Sequence, residues 1–141
     1  MAKNAIEAAP SSIKDLTNTS WIKWFAKIGE ILSGKRPLQW TDATLNANWS
    51  NTGGAFANVG YAMTWDGMIC LRGRITAGAG AANPVFTLPP GFRPLNTVVF
   101  SVRGNVGYST VSILSSGSVS VSNTTSTDTT QFDGVLFYRE Q

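Results

Sequence analysis

Residues 59–74 read VGYAMTWDGMICLRGR, and this stretch decides the fold class. Val59, Tyr61, Met63 and Trp65 alternate with Gly60, Ala62 and Thr64, the period-two pattern of a half-buried strand. Asp66-Gly67 follows at once. That pair is a strong short-range hairpin signal between alternating apolar runs. The return strand MICLRGRIT, 68–76, puts Ile69, Leu71 and Ile75 on one face and Cys70, Arg72 and Arg74 on the other, because successive side chains of a strand point to opposite sides.

The same grammar continues toward the C-terminus. Gly78 to Pro84 reads as a loop, and Val85–Leu88 as a short strand closed by Pro89-Pro90-Gly91. Val98–Val102 is a strand. Val111 and Ile113 alternate with Ser112, Ser115-Ser116-Gly117 turns, and Ser118–Ser122 alternates again. Asn123–Thr130 reads as a polar loop. Asp133-Gly134 is a second turn signature, and Val135–Arg139 closes the chain as a strand with Val135 and Phe137 on one face. Short strands about every ten residues, separated by Gly, Pro, Asn and Ser turns, predict a mainly β chain folded as an antiparallel, jelly-roll-like sandwich. No helical period falls between the strands, which argues against βαβ units and a nucleotide crevice.

Toward the N-terminus the period becomes helical. Trp21, Trp24, Phe25, Ile28, Ile31 and Leu32 recur at spacings of three and four, one face of an amphipathic helix over about 15–33. Asp15, Thr17 and Ser20 compete as N-caps. Gly34 suits the left-handed position after the helix, Lys35 and Arg36 suit its negative end, and Pro37 stops it. The expected division is therefore 1–36, an N-terminal segment, and 37–141, a β domain. A helix this short needs burial. Its face either packs on its own domain, packs against copies of itself or a larger assembly, or lies on a membrane surface.

Composition narrows the chemistry. The 141 residues include no His, one Cys and 13% charged residues. No Ser-His-Asp or Cys-His system can be built within the chain, nor a zinc site from one Cys and no His. Residues 1–36 hold six basic and three acidic groups, and residues 37–141 hold five of each. The net charge of +3 therefore belongs to the N-terminal segment, and no basic stripe for nucleic acid runs along the β domain. The start, MAKNAIEAAPSSIKD, lacks an apolar signal core, and no run reaches the length of a membrane span. Synthesis in a cytoplasm without membrane insertion is expected.

The individual candidates are few. Gly78-Ala79-Gly80 lacks the spacing and the following helix of a dinucleotide loop. The carboxylates of the β domain are Asp42, Asp66, Asp128, Asp133 and Glu140. A glycosidase would need two of them across a cleft, and two of the five already serve turn signatures. Cys70 reads as a buried, inert thiol. Arg72 and Arg74 read as solvent or subunit contacts in preference to ligand contacts. Trp40, Trp49, Tyr61, Trp65 and Tyr108 are the candidates for stacking on sugar rings or for packing in the core and between subunits. No catalytic residue, metal or cofactor is expected.

Val59–Arg74, Phe86–Pro94 (FTLPPGFRP) and the ending FDGVLFY together resemble the C-terminal β-sandwich domains of bacteriophage tail fibres and receptor-binding proteins. The most specific part is Thr87-Leu88-Pro89-Pro90-Gly91-Phe92-Arg93-Pro94, and the likeness spans roughly residues 55–139. SIKDLTNTSWIKWF is similar to the attachment end of short phage fibres. The resemblance implies a homotrimer in a virion, with a binding role and no catalysis. Trp21, Trp24, Phe25, Ile28 and Leu32 would hold the trimer or anchor it to other virion proteins of tail or capsid. Loops near 46–56, 76–84, 104–109 and 123–130 would touch a host-surface glycan. This chain has no shaft repeats, so a capsid decoration or head-fibre protein without a ligand fits its length almost as well. A carboxylate-pair glycan hydrolase is the third alternative.

Overall fold

A computed structural model describes residues 19–33, 37–122 and 128–139. The chain forms two compact units, Met1–Gln39 and Trp40–Gln141. The expected caps Asp15 and Thr17, the helix stop at Gly34 with Lys35 and Arg36, the middle of the polar loop at 123–127, and Glu140 lie outside the described residues.

The first unit carries helix α1, Thr19–Leu32. Its covered stripe is Trp21, Trp24, Ile28 and Ile31, a spacing of three, four and three that follows one side of a helix. The Trp21 ring meets Trp24 edge-on at 5.5 Å and Phe25 at 5.7 Å. Phe25 and Leu32, expected on the same face, are exposed together with Ile22. Positions 22, 25 and 32 form a second apolar stripe beside the covered one, because 3.6 residues per turn rotates them about one position away.

The second unit is mainly β. Its strands are β1 Thr41–Asp42, β2 Trp49–Asn51, β3 Gly60–Met63, β4 Met68–Arg72, β5 Arg74–Ala77, β6 Phe86–Thr87, β7 Val98–Arg103, β8 Tyr108–Ile113, β9 Ser118–Ser122, β10 Thr129–Gln131 and β11 Leu136–Tyr138. They form three antiparallel sheets, ordered β1-β3-β4-β11, β10-β5-β2 and β6-β9-β8-β7. The hairpin read from the sequence is β3–β4, with Tyr61 opposite Leu71 and Met63 opposite Ile69. Its loop closes through Thr64 N–H to Met68 C=O at 2.9 Å and Gly67 N–H to Thr64 C=O at 3.1 Å, and Gly67 has φ +87°. A positive φ in the last loop residue is the position a glycine fills without steric cost.

The expected return strand 68–76 is two strands in two sheets. At Gly73 the chain leaves β4 and enters β5, with φ +97°. A Cβ there would lie 2.5 Å from the Asn58 carbonyl oxygen. The corner is fixed by Gly73 N–H donating to Asp133 Oδ1 at 2.9 Å and by Phe132 N–H donating to Gly73 C=O at 2.8 Å. Arg72 and Arg74 therefore do not share one flat strand face. Cys70, expected opposite Ile69 and Leu71, is buried along with both of them. The segment read as loop to Thr130 already contains β10, and β1 and β2 add two short strands that the sequence pattern did not announce.

One apolar core serves all three sheets. Ile69, Ile75, Val85, Phe86, Leu88, Val111, Ile113, Val119 and Phe132 are fully buried within it. Each large apolar side chain withdrawn from water contributes about 1.5–3 kcal/mol. Phe86 meets Phe132 edge-to-face at 5.8 Å, joining the third sheet to the turn between β10 and β11.

Candidate functional site

Four separate segments converge at one end of the β unit. Gly78 N–H donates to Asn48 C=O at 2.7 Å, and Ala77 N–H to Asp128 C=O at 2.9 Å. Thr129 N–H donates to Asn105 Oδ1 at 3.3 Å. Gly104 bridges Thr130. Parts of the segments 46–49, 77–78, 104–105 and 128–130 are thus tied together by backbone bonds and by the Asn105 carboxamide. Asn48 supplies the tight backbone with φ +67°, a left-handed conformation Asn tolerates, and its Nδ2 reaches Gly80 C=O at 3.3 Å. Asn83 locks the 78–84 loop against β9 twice, through Nδ2 to Val121 C=O at 2.8 Å and from Val121 N–H to Oδ1 at 2.9 Å.

Two large side chains stand out from this end. Val106 and Tyr108, at the tip of the β7–β8 hairpin, are 81% and 82% exposed. Beneath them the residues are polar and covered. Asp128 is 6% exposed and accepts from Thr129 N–H at 2.9 Å. Ser109 Oγ and Thr130 Oγ1 are buried without a hydrogen-bond partner among the described residues. Arg74 donates to Thr129 Oγ1 and stacks over Phe56 with its guanidinium 4.5 Å from the ring centre.

The structure distributes the five aromatic candidates. Tyr108 alone stands exposed at the loop end. Trp49 is a core residue whose Nε1 donates to Ala82 C=O at 2.8 Å; a buried indole needs such a partner for its N–H. Tyr61 is half-buried and packs edge-on against Phe92 at 4.9 Å. Trp40 lies under Arg72, 4.6 Å from its guanidinium carbon. Arg72 also pairs with Asp42 at 3.4 Å, and Asn58 Nδ2 reaches the other oxygen of that carboxylate at 3.1 Å. Trp65 is 65% exposed on the β3–β4 hairpin loop. Trp65 thus stands on the β3–β4 hairpin and Tyr108 on the β7–β8 hairpin, in different sheets.

The described carboxylates of the β unit are engaged. Asp42 holds Arg72 and Asn58. Asp66 accepts from the Thr64 hydroxyl within the hairpin. Asp133 accepts from Gly73 N–H and from Gln131 Nε2 at 2.8 Å. Among the described residues no three His, Cys, Asp or Glu side chains gather. Burial, with Asp66 nearby, raises the Cys70 thiol above its ordinary range, which disfavours the reactive thiolate. The arrangement offers ring faces, carboxamides and backbone groups, which are means of binding.

Asn48, Asn105 and Val106 fall within the expected loops 46–56 and 104–109, but the sequence reading singled out none of the three. An apolar residue in a Gly-Asn-Val-Gly turn (104–107) was the available signal for Asn105 and Val106, since apolar side chains are out of place at hairpin tips.

Comparison with protein-family models, with curated proteins and with solved structures returned no match.

Proposed function

We propose that this chain is a structural protein of a phage particle, a short fibre that displays its β unit as a knob and binds a host-surface glycan without catalysis. The observation that carries the reading is the convergence of four loops beneath an exposed Tyr108 and Val106. A rigid strand scaffold with binding side chains on clustered loops is the usual layout of a recognition domain. The finer arrangement of the three sheets is a jelly-roll-like sandwich, and three copies assemble about one axis. The helix contributes through its two apolar stripes, one led by Trp21 and Trp24 with Ile28, the other by Phe25 and Leu32. The charge distribution supports a neutral displayed domain and a basic attachment segment. Each site is weak on its own, and linked copies raise avidity without new contacts.

The test compares full-length protein with the Tyr108→Ala and Trp65→Ala variants on host cells and on a glycan array. Tyr108→Ala is expected to weaken binding at least tenfold, and Trp65→Ala to leave it unchanged. Equal binding by the Tyr108→Ala protein would overturn the placement of the ligand. Absence of any binding by the parent protein would favour the decoration role.

A further inference from the structure

The five cations of the β unit are all arginines, and three of them are committed to their own chain. Arg72 pairs with Asp42 and lies over Trp40. Arg74 donates to Thr129 and lies over Phe56. Arg93 donates through Nε to Leu88 C=O at 2.9 Å. Arg103 and Arg139 are exposed, and among the described residues neither has a hydrogen bond, an ion pair or a ring contact. Arg139 belongs to the other end of the unit, where its Nε lies 3.8 Å from the place a Cβ would take on Gly67 of the β3–β4 hairpin. Among the described residues, Arg103 is therefore the uncommitted cation of the loop end.

The register places Arg103 beside the exposed ring. Arg103 pairs with Tyr108 across β7 and β8. Gly104 N–H donates to Gly107 C=O at 2.7 Å, which makes 104 and 107 the bonded pair that closes the turn. Bonded and non-bonded pairs alternate in an antiparallel ladder, so Arg103 and Tyr108 form a non-bonded pair, the kind whose Cα atoms approach to about 4.5 Å and whose side chains lie closer. Residues directly opposite one another share a face of the sheet. Buried Val102 and Ser109 adjoin them, so the shared face of Arg103 and Tyr108 points away from the core.

Arg103 also lines a cavity of about 420 Å³ together with Ser101, Gln131 and Asp133, a volume in the range of small-ligand sites. Asp133 is held toward the corner, since its two oxygens accept from Gly73 N–H and from Gln131 Nε2. No ion pair joins it to Arg103 among the described residues. The Gln131 amide is turned with its nitrogen to Asp133, which leaves its oxygen as an acceptor for a hydroxyl.

We propose that the ligand of the loop end is an acidic sugar, a uronic or sialic acid unit whose carboxylate meets Arg103 and whose ring lies on Tyr108. A guanidinium offers two parallel N–H donors that match the two oxygens of a carboxylate. An aromatic face with a polar tip suits the half-wet, partly apolar face of a pyranose. A neutral sugar would use the ring and leave the fork unfilled. This inference rests on the reading of the loop end as a glycan site and names the class of glycan.

The experiment uses the full-length chain on an array in which each uronate- or sialate-bearing oligosaccharide is printed beside the same oligosaccharide with its carboxylate reduced to the alcohol. The parent is expected to bind an acidic member at least tenfold more tightly than its reduced counterpart. Arg103→Gln is expected to abolish that preference, and Arg139→Gln, the same loss of charge at the other end, to keep it; circular dichroism checks that both fold. Two results overturn the proposal: a parent that binds acidic and reduced members alike, or an Arg103→Gln protein that keeps the parent's preference. In either case a Tyr108→Ala protein that loses binding leaves the glycan site itself standing. A parent that binds no glycan at all overturns the inference together with the reading beneath it.

Discussion

Replacing Gly73 by Ala is the sharpest probe of the fold. The residue sits at φ +97° where the chain passes from the first sheet to the second. An alanine Cβ would lie 2.5 Å from the Asn58 carbonyl oxygen, 2.6 Å from its carbon and 2.7 Å from Val59 Cα. All three neighbours are backbone, so no side-chain rotation relieves the contact. A left-handed backbone costs an L-residue about 1–2 kcal/mol, and forced crowding in a packed interior adds about 1–3 kcal/mol. The expected loss of about 2–5 kcal/mol is a third or more of the stability of many domains. At about 4–8 °C per kcal/mol for a domain near 100 residues, the thermal midpoint should fall by roughly 10 °C or more. Gly53 is the control: its φ is +73° and nothing lies within 4 Å of a Cβ there, so Gly53→Ala carries only the backbone cost of about 1–2 kcal/mol. Urea and thermal unfolding of both variants measure the difference. Equal damage at the two sites, or a Gly73→Ala protein that melts with the parent, would refute the reasoning about the corner.

Asn83→Ala removes both hydrogen bonds to Val121 and should cost about 2 kcal/mol by urea unfolding, at roughly 1 kcal/mol per bond. Asp42→Asn should change stability by less than about 1 kcal/mol, because the Asp42–Arg72 pair is long at 3.4 Å and its side chains are 55% and 32% exposed. Cys70 should react with a maleimide at pH 8 far more slowly in the folded protein than in denaturant, as its burial and raised thiol pKa require. The raised value also fixes a pH slope. The folded state favours the protonated thiol, so its contribution to stability is complete below the ordinary thiol range and declines as pH rises through the folded value; unfolding titrations of the parent and a Cys70→Ala variant from pH 7 upward would reveal it.

The strands that could be read from the sequence are those whose alternation carries apolar residues on one side. β3, β4, β8 and β9 are of this kind, and Gly67 and Gly117 mark their turns at φ +87° and +91°. The corner at Gly73 was hidden because Ile69, Leu71 and Ile75 keep the same period through it. A change of sheet alters what a residue faces without altering the count of residues. β10 was hidden for a different reason. Its residues are Thr129, Thr130 and Gln131, and the two threonines are buried despite their hydroxyls. Polarity reads as loop when the burial comes from tertiary contact. Trp49 was ambiguous because its Nε1 partner is a backbone carbonyl 33 residues away, and no local pattern encodes that.

The low charge of the β unit acquires a location in the structure. Few Lys and Glu leave the surface of this unit largely to neutral side chains, and at the loop end these include carboxamides and the exposed ring of Tyr108. At the loop end, Asn48, Asn83 and Asn105 tie backbone groups of neighbouring segments. The loop end offers an exposed ring over settled carboxamides, which suits a small polar ligand with an apolar face. Substitution of Tyr108, 82% exposed, should consequently act on ligand binding and change unfolding stability by less than about 0.5 kcal/mol.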